Sequence, residues 1–339
     1  MIQDAASTPA PPGKLVVVLL NYCLGPMTIG CLETLEPEVA RIPGARVIVA
    51  DNASPDHSLR EIEAAIRARG WGDWVETLPL PENGGFAYGN NRAIERALAD
   101  PEVDLIYCLN PDTRVHPGGI QRPCAYLRAH PQVGIAGARV TWPDGQLNSG
   151  PHAIPSPLGE LARASRIGRL RVRYARTSDH AQDRPAISCD WVSGAAFCVR
   201  REVFETVGFM DEGYFLYFEE VDFCVRARAA GWEIHYLRDA QITHFEGQAT
   251  GLQDAARRPP YWFASRRRFF SKVYGRHGLV AADACWLAGR ALCGVTRFLR
   301  GVTGDPVEQR LTLDLVLGDA WAFARGRVGG VPRIRVAQL

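Results

Sequence analysis

These 339 residues lack most of the features that classify a chain at a glance. They contain no C-x-x-C pair and no Cys/His spacing of a zinc site, and their nine cysteines are scattered and odd in number. That usage fits reduced, mostly buried thiols in a cytoplasmic protein and argues against a disulfide framework. No continuous apolar run reaches the ~18–20 residues that cross a bilayer. The polar, Pro-rich start MIQDAASTPAPPGK has no signal-peptide pattern. G-x-G-x-x-G and G-x-x-x-x-G-K-[ST] are both missing, which removes the two commonest phosphate-binding loops. No internal repeat is visible.

Net charge is small as well, at +2, but it is unevenly spread. Residues 255–304 hold ten Arg or Lys against the single acid Asp283, a local excess of +9. Residues 305–339 add +1, which leaves −8 on the first 254 residues. A polarity of this kind points the C-terminal part at something anionic. No nucleic-acid motif accompanies the charge, so nucleic acid is the weakest candidate.

What is present first is a regular alternation. LVVVLL (15–20), ARVIVA (45–50), WVETLPL (74–80) and VDLIYCL (103–109) read as buried parallel strands. Helical patterns fall between them within 27–40, at 58–70 and at 88–100. This β-α-β-α-β-α-β order predicts a doubly wound α/β sheet flanked by helices. Ligands of such sheets bind at the carboxyl ends of the strands. Polar residues cluster there: Asn21, Asp51-Asn52, Asn83-Gly84-Gly85 and Asp112. Beyond them comes a strand at 133–142, then a Pro- and Arg-rich insertion at 150–187 that reads as a long irregular segment.

Three groups of residues carry chemistry. Asp112 in LNPDT and His244 in THFEG sit at strand ends of one sheet, where they could share a divalent ion and leave positions for phosphate oxygens. Taken singly, the Asp caps a turn more often than it binds a metal, and the His is more often a structural side chain. Asp51 and Asn52 could hydrogen-bond a base or ribose, or close an Asx turn. In ENGGFAYGNN the glycine pair beside Phe86 allows close backbone approach to a ligand. The third group, YFLYFEEVDFCVRA (214–227), sets Glu219, Glu220 and Asp222 directly after aromatic residues. Carboxylates are costly to desolvate there, which asks for a function. Asp222 and Arg226, four apart on a helix that ends at Gly231, form an ordinary pair.

VVVLLNY, VIVADNASPDHS, ENGGFAYGNNRAI, LNPDT, WVSGAAFCVRREVFETVGFMDEGYFLYFEEVDFCVRARAAGW and ITHFEG occur in this order. Together they resemble the family-2 glycosyltransferases of the GT-A fold, especially bacterial rhamnosyltransferase-like members of polysaccharide assembly. The resemblance covers roughly residues 14–275. It implies an inverting enzyme with a nucleotide-sugar donor (dTDP-rhamnose or a UDP-sugar), a glycan or lipid-linked glycan acceptor, and Mg2+ or Mn2+. By this resemblance Asn21, Asp51, Asn52, Gly85, Asn90 and Asn91 line the nucleotide. Asp112 matches the last Asp of an Asp-x-Asp metal motif whose first position here is Asn110, and His244 completes the metal site. Trp191, Gly194 and Ala195 match the segment that contacts donor sugar and acceptor. Glu219-Glu220 matches a Glu-Asp pair whose second member is the general base, so Glu220 is the expected base.

The expected organisation is a tail at 1–13 and a GT-A domain at 14–254, with a nucleotide-binding half at 14–113 and an acceptor half at 114–254. A basic helical extension follows at 255–339. In that extension Asp283, Arg290 and Arg297 are spaced as one polar stripe, with Leu287, Ala291, Leu292, Val295 and Phe298 around it. The pattern fits either an interfacial helix on anionic lipid at the inner face of the plasma membrane or a helix packed on the catalytic domain. Two other functions compete. A sugar nucleotidyltransferase would need a Gly-rich basic loop, which LLNYCLGPMTIG does not supply. A non-catalytic carbohydrate- or nucleotide-binding module has no need of the carboxylates or of His244.

Overall fold

Alternate residues of the first strand face two different cores. The computed structural model describes residues 13–174, 184–245, 258–301 and 306–326. In it β1 (Lys14–Asn21) sends Leu15, Val17 and Leu19 to one side and Val16, Val18 and Leu20 to the other. A strand buried on both faces must be apolar throughout, which is why LVVVLL carries no alternation. β1, β2 (Arg46–Asp51), β3 (Val75–Pro79) and β4 (Val103–Leu109) are parallel, with crossovers α1 (Gly25–Val39), α2 (Ser58–Arg69) and α3 (Phe86–Leu98).

The second half changes strand direction. It contributes β5 (Thr113–Val115), α4 (Gln121–Ala129), β6 (Val133–Thr141) and β7 (Leu147–Ser149). After α5 (Pro157–Ser165) and α6 (Gly168–Tyr174) come β8 (Ala186–Ser188), β9 (Ala196–Arg200), α7 (Arg201–Val207), α8 (Glu219–Ala229) and β10 (Glu233–His244). The sheet order is β3-β2-β1-β4-β9-β6-β10-β5, with β7 beside β6 and β8 beside β10. Because β9 is antiparallel to both β4 and β6, the sheet is mixed. This matches the GT-A expectation.

The 150–187 stretch is corrected. It was expected to be irregular, but α5 and α6 lie in it; its residues 175–183 are outside the described ones. Ser156 Oγ accepts from the Gly159 N–H at 3.1 Å, and Pro157 occupies the first turn, where its missing N–H costs nothing.

The chain closes with α9 (Pro260–Leu299) and α10 (Pro306–Ala324). Gly275, at φ 73°, divides α9 into two arms. The first arm sends Phe269, Phe270 and Val273 into a cluster with Tyr214, Val221 and Val225 of the α8 region. The expected boundary at 254/255 lies outside the described residues. The expected polar stripe at 283, 290 and 297 lies on the second arm of α9. On the second arm these three positions are half-buried, while Leu287, Ala291, Leu292, Val295 and Phe298 are exposed. Asp283 turns inward to the Arg266 guanidinium, which is 2% exposed and bonds Asp283 at 2.8 Å, Glu160 of α5 at 3.1 Å and Asp319 of α10 at 3.2 Å.

Candidate active site

Three poles lie at the carboxyl edge of the sheet. The first is built by β1 and β2, whose last residues Asn21 and Asp51 are in register. Asn21 Nδ2 donates to Asp51 Oδ1 at 2.6 Å and to Ser58 Oγ at 3.0 Å, and Asn21 Oδ1 accepts from Thr28 Oγ1 at 2.9 Å. Asn21 is thus spent on holding Asp51, which also accepts from the Ser54 hydroxyl at 2.7 Å. Asn52 Nδ2 bonds Asn83 Oδ1 at 2.8 Å and the Gly85 carbonyl at 3.2 Å, while its Oδ1 is buried with no partner. A buried acceptor left open in this way is a place for a ligand donor.

Gly85 has φ 92°, and a Cβ there would collide with the Phe215 backbone oxygen, so only glycine fits. The close approach lets Phe86 N–H donate to Phe215 O at 2.7 Å. Asn90 bonds the Phe86 carbonyl at 3.0 Å. Asn91 is engaged elsewhere: its amide gives 2.9 Å bonds to Met210 O and Glu212 Oε1, and its Oδ1 accepts from Met210 N–H at 3.1 Å. No donor or acceptor of the kind left on Asn52 remains open on Asn91.

The second pole joins β4, β5 and β10. His244 ends β10 opposite Thr113, which brings its Nε2 to 3.1 Å from Asp112 Oδ1. Asn110 Nδ2 is 3.3 Å from the same ring nitrogen, and Asn110 Oδ1 is buried without a partner. Among the described residues no group of three or more His, Cys, Asp or Glu converges as a metal cage. The pair still fits a hard divalent ion. Two ligands at right angles, each ~2.0–2.1 Å from the ion, stand about 3 Å apart, and Mg2+ commonly takes only one or two protein ligands beside substrate phosphates and water.

The third pole is the start of α8. Phe218 and Tyr217 both have φ 71°, and this tight turn leads directly into Glu219 and Glu220, the first two residues of α8. Glu219 Oε2 and Glu220 Oε2 are both buried without partners. Burial raises both carboxyls. Glu220 reaches about 7, and Glu219 goes well above its usual range because the Glu220 charge adds to burial. Burial and mutual repulsion therefore favour a pair that carries a single negative charge near neutrality.

The segment before β9 links the second and third poles. Asn110 N–H donates to the Ala195 carbonyl at 2.9 Å, and a Cβ on Gly194 would touch the Glu220 side chain at 3.5 Å. Trp191 is fixed beside them: its indole N–H bonds Ala153 O at 2.9 Å and its ring stacks on His152 at 4.1 Å. Burial, reinforced by Arg163, lowers the His152 pKa to about 4, so that imidazole is neutral.

Sequence reasoning missed the contribution of α9. Ser265 Oγ donates to Leu216 O at 2.9 Å, Arg268 is bidentate to Asp211, and Lys272 bridges Asp211 and Asp222. The signal was the interleaving of aromatic and basic residues in RRPPYWFASRRRFFSK.

Residues 11–275 match the family model described as "Glycosyltransferase like family 2". The chain is 30% identical over 252 residues to an N-acetylglucosaminyl-diphospho-decaprenol L-rhamnosyltransferase of Mycobacterium tuberculosis, covering 71% of this chain and 79% of the relative. It is 27% identical over 239 residues to the low-salt glycan biosynthesis hexosyltransferase Agl10 of Haloferax volcanii, covering 68% and 66%. In fold it is similar to a mannosyltransferase of Pyrobaculum calidifontis solved with GDP-mannose and Mn2+. That likeness has a TM-score of 0.52 at 15% identity and covers 94% of this chain and 83% of the other. The chain belongs to the family 2 glycosyltransferases and is a glycosyltransferase of rhamnosyltransferase-like type.

Proposed function

We propose that the protein transfers a sugar, with inversion, from a nucleotide-sugar such as dTDP-rhamnose or a UDP-sugar to a hydroxyl of a glycan or lipid-linked glycan in cell-surface polysaccharide assembly. The observation that carries this is the link between the Asp112–His244 pair and the open carboxylates of α8 through Asn110–Ala195 and Gly194–Glu220. This link supports a reading in which the diphosphate binds next to a proton acceptor.

Asp51, Asn52 and the Gly85 turn hold the nucleoside. Asp112 and His244 would hold Mg2+ or Mn2+, which supplies neutralisation of the charge that develops on the departing diphosphate. Glu220, ionised near pH 7, accepts the proton of the acceptor hydroxyl as that oxygen attacks the anomeric carbon from the face opposite the leaving group. Glu219, held protonated beside it, donates a hydrogen bond to substrate. The positive end of α8 favours one negative charge at its first turn. A second charge is opposed by burial and repulsion.

The enzyme is proposed to work on the cytoplasmic face of the membrane. Of the eleven large apolar side chains exposed among the described residues, nine lie on the second arm of α9 and on α10, Phe298 being 82% exposed. An apolar face of this extent marks an interaction surface. With Arg276, Arg290, Arg297 and Arg300 on the same arm, its charge complements anionic lipid. By length and composition α9 could span a bilayer. Asp283 and Arg290 interrupt it, however, and its first arm is core, so we read it as lying in the membrane plane.

The testing experiment is a panel of UDP-, dTDP- and GDP-sugars with Mg2+ or Mn2+, scored by thermal shift and slow donor hydrolysis. A metal-dependent shift and hydrolysis with one donor supports the reading. Binding without turnover of any donor supports a non-catalytic module.

A further inference from the structure

We propose that Phe215, Tyr217 and Tyr261 form a stacking platform for a pyranose ring of the acceptor, at the mouth of the Glu219–Glu220 site. The proposal rests on the glycosyltransferase reading and adds a subsite to it. In the loop before α8, Tyr214 is fully buried and Phe218 packs inward on Phe269 at 5.4 Å. Phe215 faces the other way and is 42% exposed, and Tyr217 is half-buried. The first turn of α9 adds Tyr261, whose ring centre lies 5.5 Å from Phe215 and 6.3 Å from Tyr217. Two elements far apart in sequence thus present three rings at one place.

Core packing accounts for only part of this arrangement, because Phe215 keeps 42% of its surface exposed although apolar area is stabilised by burial. The backbone is also held in a disfavoured state. Tyr217 and Phe218 are consecutive left-handed aromatic residues, a conformation that persists only where the surroundings hold it and that clusters at functional sites. The loop is tied on both sides, by Phe86 N–H to Phe215 O at 2.7 Å and by Ser265 Oγ to Leu216 O at 2.9 Å.

Position names the occupant. The platform lies between the glycine turn of the nucleotide pole and the first residue of α8. On this proposal an acceptor ring that offers its hydroxyl to Glu220 rests on it. Aromatic rings bind the C–H face of a pyranose through dispersion, and tyrosine adds a hydrogen-bonding edge. The competing occupant of the same rings is the donor base.

The test uses the full-length protein and, as soluble acceptor probes, octyl glycosides of N-acetylglucosamine, rhamnose, galactose and mannose. Binding is read by saturation-transfer NMR and KM by transfer in the presence of the selected donor. Phe215→Ala and Tyr261→Leu are each expected to raise the KM of the bound probe about 3–10-fold. Tyr261→Phe should remain near wild type, and the nucleotide-induced thermal shift should be retained by all three. Unchanged probe binding in both truncated variants overturns the platform. A lost nucleotide shift in folded Phe215→Ala or Tyr261→Leu also overturns it and assigns the rings to the base. A wild-type protein that binds and hydrolyses no donor sinks the enzyme reading itself, and the platform with it.

Discussion

Lys272 Nζ lies 2.7 Å from Asp222 Oδ1 and 2.6 Å from Asp211 Oδ2, so a side chain of α9 balances one carboxylate of α8 and one of the segment before it. Asp222 is fully buried and also accepts from Arg226 Nε at 2.8 Å and Tyr214 OH at 3.3 Å. Burial opposes ionisation of Asp211, but Arg268 and Lys272 overcome it and hold the carboxyl at about 2. Lys272→Met should therefore cost about 3 kcal/mol of stability, as when one partner of a buried pair is removed. Asp222→Asn should likewise lower stability first. Urea unfolding of both variants checks this; a loss below about 1 kcal/mol for Lys272→Met would show that the bridge is not structural.

The Asp112–His244 pair gives a second expectation. EDTA should abolish transfer, and Asp112→Ala should remove Mn2+-dependent donor binding and lower the rate about 10²-fold or more. Calorimetric titration of Mn2+ in the presence of nucleotide separates binding from turnover. Full activity in EDTA, with no metal retained, contradicts the assignment of Asp112 and His244.

Asp283 offers a pH test far from the chemistry. Burial raises its carboxyl to about 7; Arg266 opposes the shift and the neighbouring Asp319 charge adds to it. The folded protein thus binds this proton more tightly than the unfolded chain does. Its contribution to stability is full below the ordinary Asp pKa of about 3.9, and is lost as pH rises toward 7. Asp283→Asn removes the titration. Relative to wild type it should gain about 2–3 kcal/mol between pH 5 and pH 8 in urea unfolding. A difference that stays constant, or moves the other way, contradicts the shift.

Much of this was legible in the sequence because it is local. The four parallel strands are continuous apolar runs, and Asp112 and His244 were readable as strand-end residues that one sheet could bring together. The Asp222–Arg226 pair follows from spacing on one helix. Its longer-range partner Lys272 does not, since fifty residues intervene and only packing brings them together. The α5 helix was hidden because Pro155, Pro157 and Gly159 read as breakers, whereas Pro157 sits where a proline begins a helix. The stripe at 283, 290 and 297 is readable from its seven-residue spacing, but the direction it faces is not. Arg266, buried elsewhere, is what turns Asp283 inward.

The exposed apolar arm predicts salt-sensitive binding to vesicles of phosphatidylglycerol and phosphatidylcholine. Each basic residue near an anionic surface is worth about 1 kcal/mol. Truncation is the wrong test, since it strips Phe269 and Phe270 from the core. Val295→Glu with Phe298→Glu changes only the exposed face. Flotation of wild type at low salt, lost in the double variant and at high salt, is expected. Equal recovery of both proteins would rule the contact out.

The central claim is that Glu220 takes the acceptor proton while Glu219 supports it. The most direct measurement is the single-turnover rate at saturating donor for wild type, Glu220→Gln and Glu219→Gln between pH 5 and pH 9. Since the base must be ionised and the Glu220 carboxyl sits at about 7, the wild-type rate should rise with pH through that value. Glu220→Gln should lose a factor of ~10²–10⁴ and the pH limb with it, with donor affinity little changed. Glu219→Gln should lose less and keep the limb. A Glu220→Gln protein that transfers at near the wild-type rate, while Glu219→Gln is inactive, would contradict the assignment.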